Sequence, residues 1–175
     1  LSAEPENFTA YHQRALLYND YLFDYENARL DFQNAIKFDK NLETNAIQHL
    51  KYMEQKIILE NAQDQIDKDP SNYEAYVARG KAFQDTSQFI ASINELAKAI
   101  EVNPIRIEAY CERCLERMKS GSNNYQEARK DCNIAIELEP ENYLVWIYSA
   151  RFHEISASFN NDTGTIERAK RDYNK

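Results

Sequence analysis

The chain has 175 residues, of which 43% are hydrophobic, and a net charge of −8 at pH 7. It contains only three glycines and four prolines, too few for the turns of a β-rich domain, so the composition predicts an all-α fold with a substantial core. The negative charge disfavours nucleic acid as a partner, because phosphate binding needs clustered lysine and arginine, and no uncharged stretch is long enough to span a membrane.

A short line of sequence recurs along the chain, each time six residues after a proline. Its four copies open at Tyr11, Tyr76, Tyr110 and Trp146, after Pro5, Pro70, Pro104 and Pro140. A second line, in which a small residue stands four positions before a core-forming residue, follows each first one, and its copies open at Ala28, Ser92, Ala128 and Ala169. Two unlike signatures in each unit predict a repeat protein with two helices per unit.

The first repeat covers about 5–40, and the segment after it, residues 41–69, departs from the pattern. Lys40 stands where a proline is expected, and no turn residues interrupt the stretch 43–67. Two alternatives stay open: a degenerate, shortened hairpin that turns near 54–56, or a single helix of roughly 25 residues. We favour the single helix, because no residue marks a turn there.

Residues 70–103 form a regular repeat of 34 residues. One helix is predicted over about 72–85 and a second over about 89–102, which ends before the next proline because proline disfavours helical geometry in the residue before it. Gly80 and Ser92 are small enough to let the two helices approach closely. The repeat is therefore predicted to be a tight helical hairpin.

Two further units follow, residues 104–139 and an incomplete repeat, 140–175. Extra residues in the last unit predict a longer loop over 156–164, since surface loops accommodate insertions at little cost. The chain stops at Lys175, inside the expected second helix, without the polar cap that repeat arrays need. We therefore expect the sequence to be a segment of a longer protein.

Taken together, these residues resemble tetratricopeptide (TPR) repeats, helix-turn-helix units of about 34 residues. The resemblance covers 5–40 and 70–173, and seven of the twelve tyrosines fall where the family pattern has a large aromatic. It implies an α-α superhelix, or solenoid, in which residues 1–175 form a single array. It also implies a non-enzymatic adaptor or scaffold for protein binding.

In TPR proteins the first helices line a concave groove that binds a peptide or helical segment of a partner. The resemblance places the following residues in that groove: His12, Gln13, Leu16, Asn19, Val77, Lys81, Gln84, Glu112, Leu115, Met118, Ile147, Tyr148 and Arg151. The apolar members favour a partner segment, although each could instead pack against the next helix. An assembly module that self-associates through the uncapped last repeat or the long middle helix is the alternative function.

One TPR subclass grips the C-terminal carboxylate of heat-shock chaperones with a Lys and Asn pattern on consecutive first helices. The matching positions hold His12 and Leu16 in the first repeat, and Val77 and Lys81 in the 70–103 repeat. The Lys and Asn pattern is absent whichever of these two repeats is aligned with the first repeat of that subclass. The resemblance therefore disfavours a chaperone tail as the partner, and the identity of the protein partner is not predicted.

Charged residues also recur in register. Arg14, Arg79 and Arg113 stand three residues after the first-helix aromatic, and the pairs Arg29 with Asp31, Arg129 with Asp131 and Lys170 with Asp172 stand on the second helices. Repetition in register predicts a structural function inside the array, such as ties to the neighbouring repeat, rather than ligand binding.

The sequence predicts no catalytic residue, no cofactor and no metal site. The three histidines lie apart from any Ser or Cys that could form a nucleophilic grouping, and no glycine-rich phosphate loop occurs. Cys111, Cys114 and Cys132 could suggest zinc, but Cys114 and Cys132 occupy packing positions. An odd number of cysteines inside helical patterns favours a reducing compartment, and no secretory leader is visible, so we expect a cytoplasmic protein.

Overall fold

The computed structural model describes residues 8–38, 43–121 and 124–160, together with Arg168 and Arg171. Its helices, in chain order, are α1 (Phe8–Leu17), α2 (Tyr25–Phe38), α3 (Glu43–Lys68), α4 (Tyr73–Asp85), α5 (Phe89–Val102), α6 (Ile107–Lys119), α7 (Tyr125–Leu138) and α8 (Tyr143–Asn160). These ranges contain no strand, and the predicted all-α class is confirmed. The chain forms two compact units, Leu1–Asn61 and Ala62–Lys175.

The first unit contains the α1/α2 hairpin and the first part of α3. Ala15 and Ala28 are fully buried where the two helices meet, and Phe32 and Met53 complete the apolar cluster. A π-helical turn, Tyr18–Leu22, follows α1. A π-helical turn holds one residue more than a turn of α-helix. This matches the spacing of the small residues, because Ala15 and Ala28 are one position farther apart than Gly80 and Ser92 of the 70–103 repeat.

Residues 43–68 form one continuous helix, α3, of 26 residues. The alternatives left open by the sequence were a hairpin and a single helix, and the structure has the single helix. Met53 of α3 belongs to the core of the first unit, whereas Ala62 and Ile66 pack with Ala75 and Tyr76 in the second. The helix therefore contributes to both cores.

The second unit contains the α4/α5 and α6/α7 hairpins and α8. The small residues expected at the helix contacts are all buried: Gly80, Ser92, Cys114, Ala128 and Ala150. A Cβ atom at Gly80 would lie 3.0 Å from Cγ of Leu96 on α5, so the backbone of α4 approaches α5 more closely than a residue with a side chain would normally allow. The two helices predicted in the 70–103 repeat are confirmed as α4 and α5.

Hydrogen bonds explain the constant spacing of six residues between proline and aromatic. The Tyr76 hydroxyl donates to the Pro70 carbonyl at 3.3 Å, and the Tyr110 hydroxyl donates to the Pro104 carbonyl at 3.1 Å. In the last repeat the Trp146 Nε1–H donates to the Pro140 carbonyl at 2.9 Å. The aromatic of each first helix thus ties its own turn to the helix; Pro5, which begins the first repeat, lies outside the described residues.

The recurring arginines bind acids of the second helix of the same hairpin. Arg14 pairs with Asp31 at 2.5 Å, Arg79 with Glu95 at 2.5 Å, and Arg113 with Asp131 at 2.7 Å. The residues are structural, as predicted, and their ion pairs lie inside the hairpin; Arg79 in addition donates to Oε1 of Gln63 on the preceding helix, α3. The acids occupy one repeat position, three residues after the small residue of the second helix.

The cysteines depart from the sequence-based expectation. Cys114 and Cys132 form a disulfide with their Cα atoms 5.8 Å apart, and Cys111 is a free, buried thiol. The physical reason is that the small-residue position of the first helix faces the core position of the second, as Gly80 faces Leu96. The expectation of fully reduced cysteines is wrong, and the cytoplasmic expectation loses that support.

Candidate functional site

The second unit carries a pocket of about 380 Å³ beside its first helices. We call it the Tyr148 pocket; its lining residues are Lys81, Arg106, Ile107, Glu108, Cys111, Glu112, Glu139, Asn142, Leu144 and Tyr148. Helices α4, α6 and α8 supply most of them, Arg106 directly precedes α6, and the turn between α7 and α8 supplies the rest. The pocket therefore lies on the helices for which the sequence predicted partner binding.

Lys81 of α4 crosses to α6 inside this pocket. Its Nζ lies 2.5 Å from Oε1 of Glu108 and 3.6 Å from Oε1 of Glu112. Burial alone would lower the pKa of Lys81, but the hydrogen bond to Glu108 and the charges of both glutamates outweigh it, and the pKa is raised. Lys81 is therefore a charged tie between repeats whose positive charge is already neutralised.

Tyr148 of α8 forms the opposite wall. Its hydroxyl donates to Oε1 of Glu112 at 2.6 Å, and its half-buried ring packs on the cluster that contains Ile107, Cys111 and Val145. Burial, and then the hydrogen bond to Glu112, raise the pKa of Tyr148 well above its usual value. The hydroxyl therefore stays protonated, and its bond to Glu112 holds the ring in place in the free protein.

The structure brings four of the predicted groove residues of the second unit together: Lys81, Gln84, Glu112 and Tyr148. Gln84 Nε2 donates to Oε2 of Glu112 at 3.3 Å, so Glu112 is the common acceptor of the group. Also on α8, Ile147 is half-buried and Arg151 is exposed. Polar and aromatic groove residues are therefore on the surface, as a binding site requires.

The other predicted groove residues of this unit are interior. Val77 and Leu115 are 4% and 5% exposed, and Met118 is fully buried in a cluster with the disulfide and Phe152. Val77 packs with Tyr73 and with Ala109 of α6, whereas Met118 near the end of α6 packs with Phe152 of α8. In both cases a residue at a groove position packs against the next helix. This is the alternative that the sequence left open for apolar groove residues.

The four predicted groove residues of the first unit are described separately. His12 meets the edge of Phe32 at 5.5 Å between ring centroids, and His49 of α3 stacks on the same phenylalanine at 5.0 Å. Burial, and then the nearby His49, lower the pKa of His12. Leu16 packs at the edge of the apolar cluster. Gln13 is exposed, and Asn19 Nδ2 donates to Asp20 at 2.6 Å.

Several residues of the Tyr148 pocket were missed by the sequence analysis. Arg106, Ile107 and Glu108 stand at the start of α6, and Glu139 and Asn142 stand in the α7–α8 turn. These positions precede the first-helix aromatic and lie outside the groove positions of the family. The α7–α8 turn brings Glu139 and Asn142 into the pocket. Asn142 lies directly before α8, where its side chain accepts from the Leu144 amide at 3.0 Å and donates to Glu139 at 2.6 Å.

Cys111 gives a direct chemical test of this geometry. Burial, followed by the charges of Glu112, Glu139 and Glu108, raises the pKa of Cys111 to about 12. At pH 8 only about one thiol in 10,000 is then ionised, so alkylation by iodoacetamide is expected to be very slow in the folded protein. Mass spectrometry should show one alkylated cysteine after denaturation without reductant and three after reduction; rapid native labelling of Cys111 would contradict the burial.

Within the described ranges, no three His, Cys, Asp or Glu side chains are arranged to hold a metal ion. Cys111 belongs to a different apolar cluster from the bonded Cys114 and Cys132. The three cysteines therefore do not converge. Among the helices of the described residues, none combines the length and the apolar character needed to cross a bilayer.

Comparisons with known proteins agree with this architecture. Residues 8–42 and 73–106 match the sequence model of the family described as tetratricopeptide repeat. A crystal structure of MamA protein aligns with a TM-score of 0.55 and 18% identity, covering 98% of this chain and 94% of that one. TTC0263, a thermophilic TPR protein of Thermus thermophilus, aligns with a TM-score of 0.56 and 18% identity, covering 95% and 88%. At such identities the likeness shows the fold alone, and the search of curated proteins found no match.

Proposed function

We propose that this chain, which carries tetratricopeptide repeats, holds a segment of a protein partner on the α4, α6 and α8 surface of its second unit. The fold is a scaffold for protein–protein interaction and in general a non-enzymatic one. Our proposal adds the location: an extended or helical segment lies across the Tyr148 pocket. The single observation that carries it is a half-buried tyrosine held by Glu112 at the wall of a pocket of about 380 Å³.

Two physical arguments support this location. The hydrogen bonds among Lys81, Gln84, Tyr148 and the α6 glutamates exist in the free protein, which lowers the cost of ordering side chains on binding. Tyrosine is also an effective anchor at interfaces, because it offers a large rigid ring with a polar tip. Ile147 and Arg151 extend the surface along α8.

The test is a selection of binders from a library of random peptides displayed on phage, with the whole chain immobilised. Peptides that recur are synthesised, and their affinity is measured by fluorescence anisotropy. Tyr148→Ala is expected to weaken binding about tenfold or more, since anchoring aromatic residues carry most of the energy of such interfaces.

Tyr143→Ala is the matched control, because Tyr143 lies on the same helix, is 67% exposed and does not line the pocket. It is expected to bind the selected peptides as the wild type does. Circular dichroism checks that both variants are folded. A selection without recurring peptides, or peptides that bind Tyr148→Ala with unchanged affinity, would overturn the proposed location.

Exposed apolar side chains favour one second candidate, self-association. Ile47, Tyr52 and Ile58 of α3 are 50%, 46% and 40% exposed, and such surface residues are often covered in oligomers. Sedimentation velocity over a range of concentrations separates the two functions. A dimer that persists in Tyr148→Ala and dissociates in Ile58→Lys supports self-association. A monomer at all concentrations excludes self-association and leaves peptide binding as the remaining proposal.

A further inference from the structure

The Tyr148 pocket has an excess of negative charge. Three carboxylates line it, those of Glu108, Glu112 and Glu139, against the two cations Lys81 and Arg106. Both cations are already engaged. Lys81 binds the two α6 glutamates, whereas Arg106 binds Glu74 outside the pocket and also lies 3.8 Å from Oε2 of Glu108. Neither cation of the pocket is thus available to an anionic ligand.

Glu139 is the carboxylate of the pocket that is not paired with a cation. It accepts a hydrogen bond from the Asn142 amide at 2.6 Å, and no lysine or arginine of the described residues forms an ion pair with it. Glu139 is exposed and lines the pocket together with Glu108, Glu112 and the buried Cys111. The pocket lining therefore contains one carboxylate that no cation of the described residues neutralises.

The pocket also has apolar lining. Ile107, Leu144 and the Tyr148 ring supply it, and Leu144 is 41% exposed. An apolar wall beside an unpaired carboxylate suits a side chain with an apolar stem and a cationic end. Lysine and arginine have this form, and they bury the stem while the charged group reaches an acid.

We propose that the Tyr148 pocket selects partner segments that present a lysine or arginine to Glu139, next to an apolar residue that packs against Leu144 and Tyr148. This inference rests on the proposed function and adds the chemistry of the partner. The overall charge of −8 acts in the same direction by steering basic segments towards the chain. A segment that ends in acidic residues is repelled by the same negative charge.

The amino-acid composition of the peptides selected in the phage-display experiment tests whether the pocket prefers basic segments. Lysine and arginine are expected to be enriched, and changing the recurring basic residue to glutamate is expected to weaken binding at least tenfold. Peptides are acetylated and amidated so that their termini carry no charge, and affinities are compared at low and high salt, since screening reduces an ionic contribution.

Glu139→Lys and Glu141→Lys change the net charge of the chain equally, and both residues are exposed, but only Glu139 lines the pocket. Glu139→Lys is expected to abolish the preference for basic peptides, and Glu141→Lys to leave it unchanged. Recurring peptides without basic enrichment, or an equal response to both substitutions, would overturn the inference while the proposed function stands. A selection without recurring peptides would overturn both.

Discussion

Met118→Ala is expected to destabilise the second unit by about 2 to 5 kcal/mol, the usual cost of deleting a buried methionine side chain. Met118 is fully buried beside the disulfide and Phe152, and truncation leaves a cavity between α6 and α8. Trp146 is the single tryptophan of the chain and lies on α8, so its fluorescence during urea unfolding reports on this unit.

The control is Met118→Leu, which keeps the volume nearly constant and is expected to cost less than about 1.5 kcal/mol. The measurement also separates packing from binding at a residue that the sequence placed in the groove. Met118→Ala with the urea midpoint of the wild type and weakened peptide binding would show that the side chain is on the surface. A lower midpoint assigns it to the core.

The helices and their contacts could be predicted because they depend on local signals that repeat. The proline ends one helix, the aromatic six residues later reaches back to that proline's carbonyl, and the small residues mark where two helices touch. Each signal occurs in several copies, so irregular copies do not hide the pattern. Gly80 and Ser92 are examples, since both are buried as their spacing predicted.

The sequence was less informative where the answer depends on how one helix crosses another. Arg113 and Asp131 were each recognised as structural residues, but they are 18 positions apart, and only the crossing of α6 and α7 shows that they meet. Cys114 and Cys132 have the same separation and the same cause. Their bond could have been inferred by noting that Gly80 and Leu96 occupy the corresponding positions.

The Tyr148 pocket was only half predictable for a related reason. Lys81, Glu112 and Tyr148 follow from the repeat positions of first helices, because those positions share one side of each helix. Glu139 comes from a turn, where the local capping of α8 by Asn142 decides which way the side chain faces. A pattern of helical positions does not contain that information.

Asp131→Asn is expected to destabilise the second unit by about 3 kcal/mol, because breaking one side of a buried ion pair is costly. The Asp131 side chain is 2% exposed and accepts from Arg113 Nε at 2.9 Å, from Arg113 Nη2 at 2.7 Å and from Arg117 Nη1 at 2.7 Å. Removing its charge leaves two largely buried guanidinium groups without their counterion. The Trp146 fluorescence transition in urea measures the loss.

Glu127→Gln is the control, because Glu127 is an exposed acid on the same helix that pairs with Lys130, and it should leave the transition unchanged. Two explanations of the recurring arginines are then separated. If Asp131→Asn also leaves the transition unchanged, the arginines contribute through their apolar stems alone. If it lowers the midpoint, the ion pair stabilises the hairpin, and Asp31→Asn should likewise weaken the first unit, where Arg14 binds the equivalent acid.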